Sequence, residues 1–408
     1  MSGGGRAAAW AEPPVSPAQV PDLRAGAVRE ASYGVVALPL RRRLTHTSVD
    51  TGELEQVVLR LVLADGQEGW AETRGNGAYA THHTTRSIVA ALAALPAVTR
   101  PAWRDPAALA ASVARHCPPA AMLLDVAYRD AAARARGVTL ASALRAGSGV
   151  PDRVEGPLPT HAAIPFGTPG EAAELTALAA GSGFRRVKIR VGGDPLQDSA
   201  RIAAARTAAD RTAGPGAVVL AADANGGWDQ ETALAATPWL ARYGVAWLEQ
   251  PTAPGDLTAM ARVRAESPVP VWADEDVRDA ADVRKVADLG AADGVHLKLE
   301  KAGTVAALAE AVAVARGRGL DVALGQMDCG RLGCATTAHL AAGLGLAVAE
   351  LWGCANVDRD LAAGLDLREG AVSLPAAPGL GVEVLLDPAL LTPVGRPGSP
   401  ESVSVPLP

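Results

Sequence analysis

The rhythm of apolar and polar positions changes once along this chain. Two β-rich runs come first, VVALPL (35–40) and EQVVLRLVLADG (55–66), the second ending in an Asp-Gly turn signal. QEGWAE follows as a short strand. From Thr85 apolar residues recur at helical spacing, through SIVAALAAL, PAALAASVARHC and AAMLLDVAYRDAAARARG, with Gly137 placed as a C-cap. His116-Cys117-Pro118-Pro119 breaks two of these helices. This pattern predicts a mixed α+β unit over residues 26–150.

After Gly156 short apolar runs of strand length alternate with Ala-rich helical stretches. Eight such runs are LPTHAAI (158–164), RRVKIRV (185–191), AVVLAAD (217–223), GVAWLE (244–249), PVPVWAD (268–274), DGVHLKL (293–299), LDVALG (320–325) and LAVAEL (346–351). Seven helical stretches lie between them. Strands separated by helices build a parallel sheet covered on both faces, and eight of them close a barrel. No comparable helix follows the last run. The pattern therefore predicts an α/β fold: a modified TIM barrel, (β/α)7β, over 156–355, with an N-terminal α+β capping domain. Segment 360–390 reads as strands and turns that pack back on the cap. Residues 1–25 and 391–408 read as a disordered tail and a loose tail.

Composition narrows the class. Of 408 residues, 49% are hydrophobic and 20% charged, which excludes a largely disordered chain. A net charge of −6 and a pI near 5.7 give no reason to expect nucleic acid or an anionic membrane as partner. No apolar run reaches membrane-spanning length, and MSGGGRAAAWAEPPV lacks the apolar core of a signal peptide. None of the four cysteines forms a C-x-x-C pair, so a reduced, cytoplasmic protein is expected. Cys329, Cys334 and Cys354 fall late in the chain and are expected as buried or loop thiols.

Lysine usage is more telling. The 38 basic residues include only four lysines, Lys188, Lys285, Lys298 and Lys301. Arginine stays protonated, whereas a lysine near other cations can lose its proton and act as a base. Lys285 and Lys301 are expected on solvated faces. Lys188 and Lys298 lie at strand ends, where barrels of this kind place their chemistry.

Other strand ends carry acids: Asp223, Glu249 and Asp274, followed by Lys298 at successive spacings of 26, 25 and 24 residues. That is one β/α unit per step, so all four meet around one barrel mouth. Acids after strands also serve as helix N-caps. Three in consecutive units would repel unless a cation joined them, and oxygen-only ligands suit Mg²⁺, with Mn²⁺ as the second choice. Lys188 and Arg190 share one face of the second strand. His296 shares the face of Lys298 at a deeper level and is expected as a hydrogen-bonded core histidine.

These residues resemble the enolase superfamily, in its muconate lactonizing enzyme subgroup. VKIRVGG is similar to the family's K-x-K strand. AADANGGW, WLEQP and WADEDV resemble its three metal-ligand motifs, and GVHLKLEKAG the I-K-L-x-K-x-G segment of dipeptide epimerases. The resemblance implies Asp223, Glu249 and Asp274 as Mg²⁺ ligands, supported by Asn225, Gln250 and Glu275. It implies a small carboxylate substrate, such as a dipeptide, whose α-proton is removed to give a stabilised enolate. Among enolase-superfamily sites a Lys or His base with Mg²⁺ is the general pattern. Lys298 would be that base, and Lys188 would add positive charge. The same resemblance leaves room for a homo-oligomer.

Asp358 and Asp360, in Asn356-Val357-Asp358-Arg359-Asp360, resemble the pair that holds a dipeptide's ammonium; the competing reading is a solvated acidic turn. Gln326 and Met327 are expected to line the pocket. Arg41–Thr47 and Arg74–His83 are specificity loops or plain surface loops. The chain departs from the family at Arg190, where a second lysine normally moves protons on the opposite face. Arginine is a poor base. Three readings follow: epimerisation with an unusual Arg190, a one-face elimination or cycloisomerisation using Lys298 alone, or Mg²⁺ and carboxylate binding without turnover.

Overall fold

The computed structural model describes residue 23 and residues 25–146 and 156–398. The tail expected over 1–25 lies outside the described residues except for Leu23 and Ala25, as do residues 399–408 of the C-terminal tail.

Three antiparallel strands open the chain, Val28–His46, Val49–Leu63 and Glu68–Arg74. The first two run well past their apolar centres into polar sequence. Their ladder resumes after a register shift between Pro39 and Leu44 and continues to the pair His46–Val49. Polar residues do not end a strand whose neighbour supplies its hydrogen bonds. The result is a hairpin whose His46 tip borders the barrel mouth.

Helix Pro118–Ala135 is buried along most of its length and lies on the third strand. Gly69 permits that approach, since a Cβ there would stand 1.9 Å from the Ala127 carbonyl oxygen. The Pro118-Pro119 pair that ends the preceding helix starts this one, where the missing N–H groups cost nothing.

Residues 391–398 are not loose. Thr392–Pro393 pairs with Tyr33 and Ser32 and adds a fourth strand to the cap sheet. The free edge of the first strand offers unpaired backbone groups, and the tail satisfies them. Tyr33 Oη donates to the Arg396 carbonyl at 2.8 Å.

The barrel sheet contains seven parallel strands in sequential order: Ala162–Ile164, Arg186–Arg190, Val219–Asp223, Val245–Glu249, Val271–Ala273, Gly294–Lys298 and Asp321–Gly325. The eighth run, 346–351, is reduced to one parallel bridge, Leu324–Ala349. Side chains link it to the residues just before the first strand: Leu351 N–H donates to Thr160 Oγ1 at 2.8 Å, and Glu350 pairs with His161. A single turn, Gly353–Asn356, stands where an eighth helix would begin. Among the described residues, no helix is long and apolar enough to cross a membrane.

The C-terminal segment is held by both barrel and cap. Ala371–Ser373 pairs with Leu158–Pro159 at the barrel entrance. Gly379 and Leu380 dock on the cap, where Leu140 N–H donates to Gly379 O and Leu380 N–H to Asp130 Oδ1.

His339, on barrel helix Arg331–Gly343, ties these parts together. Its Nδ1 accepts from Ala141 N–H at 3.3 Å and its Nε2 donates to Leu380 O at 3.1 Å. That pairing requires a neutral ring, and burial pushes its pKa down to about 4. The unfolded chain takes up this proton below about pH 6.5, whereas the folded chain resists until about 4. Between those limits His339 therefore lowers stability as pH falls, by roughly 1.4 kcal/mol per unit. Urea unfolding across pH 4–7 should show a steeper loss for the parent protein than for His339→Gln. Parallel curves would contradict this.

Candidate active site

Helix caps account for other acids, not for the three at the strand ends. Asp194, Asp229, Asp256 and Asp279 cap the helices that follow the second to fifth barrel strands. Asp223, Glu249 and Asp274 cap none of these and are almost fully buried. Asp223 pairs in register with Arg190 on one side and Glu249 on the other.

A cation is threaded beside each acid. Lys188 Nζ lies 3.1 and 3.2 Å from the two Glu249 oxygens and 3.5 Å from Asp223 Oδ2, and it also pairs with Glu350. Arg190 Nη1 pairs with Asp223 and donates to Asn225 Oδ1 at 3.1 Å. Asp274 is shared by Lys298 Nζ at 2.5 Å and Lys301 Nζ at 2.8 Å. Lys301 is therefore not on a solvated face. It is buried in the short helix Leu299–Ala302 and also donates to the Asp274 carbonyl. Lys285 is exposed on its helix.

The supporting residues lie against these groups. Asn225 donates from its backbone to Asp223 Oδ1 at 2.9 Å and from Nδ2 to Glu275 Oε1 at 3.2 Å. Gln250 Oε1 accepts from Asp274 N–H at 3.0 Å. Asn225 and Gln250 have φ values of 45° and 35°. Two such non-glycine residues at strand ends mark strained backbone, which clusters at functional sites.

Electrostatics follow from this packing. Burial raises Asp223 to about 6 against the pull of Arg190. Burial also raises Glu275 to about 7, helped by Asp274 and Asp223. Burial opposes ionisation of Glu249, but Lys188 and His296 outweigh it and bring Glu249 down to about 2. Lys298 and Arg190 are both held above their ordinary values, their burial overcome by the nearby acids.

Lys298, Arg190, Asn225, Glu275, Gln326 and Met327 border one cavity with His46, Tyr79, His161, Glu350 and Trp352. Lys298 and Arg190 stand on the sixth and second staves, opposite walls of an eight-stave ring. Gly325 makes room beside Lys298, because a Cβ there would come within 2.5 Å of His296 Nε2 and 3.0 Å of Lys298 Cε.

Asp358 and Asp360 do not reach this cavity. Asp358 is exposed. Asp360 accepts from Arg331, through its backbone N–H at 2.9 Å and its guanidinium at 3.0 Å, and from Ala362 N–H. Arg331 neutralises it, so the pair does not form an ammonium site here.

Glu350 was missed by sequence reasoning, although it ends the eighth run as the other acids end theirs. It is bonded to His161 Nε2 at 2.9 Å and lies 3.4 Å from His296 Nε2. His296, expected as a core histidine, also meets Glu249 at 2.9 Å. Glu249, His296 and Glu350 thus bring three potential metal-ligand atoms within 4.8 Å of one another, with Lys188 seated on both carboxylates. Cys329 and Cys334 are 3.9 Å apart at sulfur, and both they and Cys354 are free thiols.

The donor chemistry fits a hard divalent ion. Around the mouth five carboxylates, Asp223, Glu249, Asp274, Glu275 and Glu350, meet four cations, Lys188, Arg190, Lys298 and Lys301. The carboxylates outnumber these cations by one, and the ligand atoms they offer are oxygens, with His296 adding one nitrogen.

Residues 171–388 match the family described as Enolase C-terminal domain-like. The hydrophobic dipeptide epimerase of Citrifermentans bemidjiense is 30% identical over 331 residues, 78% of this chain and 86% of that protein. The chain belongs to the enolase superfamily. Within it, muconate cycloisomerase 1 of Rhodococcus opacus is 35% identical over 205 residues, 49% of this chain, and the match spans about half of that relative's length, 53%. Among superfamily structures, a dipeptide epimerase from Cytophaga hutchinsonii, complexed with Mg and the dipeptide D-Ala-L-Val, superposes with a TM-score of 0.81. It covers 90% of this chain and 99% of its own at 20% identity, a likeness of fold.

Lys188 is the interior counter-ion of this superfamily site. Replacing it by Met leaves Glu249 and Glu350 short of a buried partner. The expected loss is about 3–5 kcal/mol of unfolding free energy at neutral pH. Chemical denaturation measures it, and a change under about 1 kcal/mol would show that Lys188 neutralises neither acid.

Proposed function

We propose that this protein removes the proton α to a substrate carboxylate and returns one to the same carbon. The reading is a divalent-cation-dependent epimerisation of a dipeptide or other amino-acid derivative. The observation that carries it is that Lys298 and Arg190 border one cavity from opposite walls, each paired with a buried acid at a strand end, Asp274 and Asp223. The epimerase relatives support the same chemistry.

Asp223, Glu249 and Asp274 would hold Mg²⁺, with Asn225, Gln250 and Glu275 fixing their orientation. When bound, such an ion neutralises charge developing on the substrate carboxylate, without which an α-proton is far too weakly acidic for an amine. Lys188 places a second positive charge beside those acids. Lys298 takes the proton at Nζ. For this it must first lose its own proton, which its contact with Asp274 opposes; that hold would be weaker with Asp274 engaged by a cation. Gln326 and Met327 shape the wall near Lys298.

A second reading has its own support. Arg190 is engaged by Asp223 and Asn225 and held above its ordinary value, which makes it a poor base. Proton transfer confined to the Lys298 face would give elimination or cycloisomerisation instead.

Incubation in D₂O with Mg²⁺ and a dipeptide library separates the readings. Epimerisation brings deuterium to the α-carbon with inversion, whereas one-face chemistry brings exchange with retention or loss of a leaving group. Lys298→Met should reduce exchange by roughly 10²–10⁴-fold. Asp223→Asn and Glu249→Gln should each abolish turnover and weaken Mg²⁺ binding in calorimetry. Full activity in both acid variants would remove the metal assignment. Arg190→Lys should raise two-face exchange if a lysine there suffices; complete loss would show that the guanidinium has a binding role of its own.

A further inference from the structure

Each residue of the loop that ends the seventh barrel strand is held by a side chain from another element. Gln326 Nε2 donates to Cys334 Sγ at 3.0 Å, on the helix that follows. Met327 N–H donates to Glu300 Oε1 at 3.0 Å. The Asp328 carbonyl accepts from Gln56 Nε2 of the cap at 3.2 Å. All three loop residues border the reacting cavity together with Lys298. The first and third contacts brace this wall from behind and from the cap. The second comes from the turn that follows Lys298, so it sets the wall against the base itself.

The sheet ends too early to make that contact. The last pair in register between the sixth and seventh strands is Lys298 with Gly325. Met327 lies two residues beyond it and is only 2% exposed. A buried N–H without a partner costs more than its hydrogen bond would contribute. Glu300 supplies the partner and adds one rung, made by a side chain, where the backbone ladder stops.

No other contact of Glu300 explains an acid here. The side chain is buried, and burial raises its carboxyl above the usual range. Lys298 and Lys301, which flank it in sequence, both turn to Asp274. An apolar residue would avoid the cost of burying a carboxyl but would leave the Met327 N–H unpaired. The base of the tether is itself rigid. Lys301 anchors the turn Leu299–Ala302 on Asp274, Gly303 N–H donates to Leu299 O at 2.7 Å, and Val305 N–H donates to Asp125 Oδ2 of the cap helix at 2.7 Å.

We infer that Glu300 is a positioning residue. Its carboxyl holds Met327, and with it the wall Gln326–Asp328, in a fixed place beside Lys298. It thereby sets how firmly a substrate is gripped, not how fast its proton moves. The inference rests on the α-proton reading for the role of Lys298.

The test is amide hydrogen exchange of the full chain, read by mass spectrometry. In Glu300→Met, residues 324–330 should exchange roughly three- to tenfold faster, the worth of one backbone hydrogen bond. The cap helix Pro118–Ala135 and the second strand Arg186–Arg190 should keep the parent rate. Glu300→Gln, whose amide oxygen still accepts, should restore the parent rate in the loop. Glu300→Asp, shorter by one methylene, should behave as the Met variant does and serves if that variant fails to fold. With Mg²⁺ and L-Ala-L-Leu in D₂O, the Met variant should raise KM by about threefold or more and leave kcat within about twofold, and Gln should return KM to the parent value.

Parent exchange at 324–330 in both the Met and Asp variants would overturn the inference. So would equal acceleration throughout the chain, which marks a general loss of stability, or a Gln variant as fast as the Met variant. A fall in kcat with KM unchanged would also overturn it, because Glu300 would then act on Lys298 and not on the wall. Absence of deuterium from L-Ala-L-Leu and from the dipeptide library removes the α-proton reading instead. The local acceleration and its rescue by Gln then decide the tether alone.

Discussion

Carboxylates crowded into a water-poor barrel mouth stay ionised only if cations stand between them, and that requirement organises the molecule. Glu249 is the pivot. Lys188 reaches it from the second strand and His296 from the sixth, while Asp223 is its neighbour in register. The same ammonium serves Glu350 from the eighth stave, so one lysine joins four walls of the barrel. Removing Lys188 leaves Glu249 and Glu350 short of a buried partner, which costs more than the pair contributes when intact.

The fold meets this constraint by separating two uses of acid. The acids that cap helices lie a few residues beyond the strand ends, in the loops, where they bind backbone N–H groups. The site acids sit on the last strand residue or immediately after it and have side-chain partners. The same residue type thus does local work in one place and long-range work a few residues earlier. The positive φ of Asn225 and Gln250 turns the chain between these tasks.

Much of this arrangement was legible in the sequence because a β/α repeat converts spacing into position. Steps of one unit placed Asp223, Glu249, Asp274 and Lys298 around one mouth with no knowledge of side-chain angles. Legibility failed where position depended on what lay across a gap. Lys301 reads as a surface lysine because it follows the strand end by three residues, yet the short turn Leu299–Ala302 folds it back onto Asp274. Asp358 and Asp360 read as an ammonium site, but Arg331, distant in sequence, takes Asp360. The eighth run has strand composition, yet it meets the start of the first strand through the Thr160 hydroxyl and the His161 ring, and no pattern within the run announces that. The tail at Thr392 becomes a strand because the cap leaves an edge open, a property of another element altogether.

Arg190 follows from the same charge logic. A lysine at its place would hold one compact charge able to come and go. A guanidinium keeps its charge, spreads it over a fork, and can hold Asp223 and Asn225 together. That makes it a better wall than a shuttle. Ala163 and Trp352 line the reacting cavity with it. If Arg190 stays so engaged with substrate bound, proton transfer rests with Lys298 on the opposite wall, and that contact is what divides the one-face reading from epimerisation.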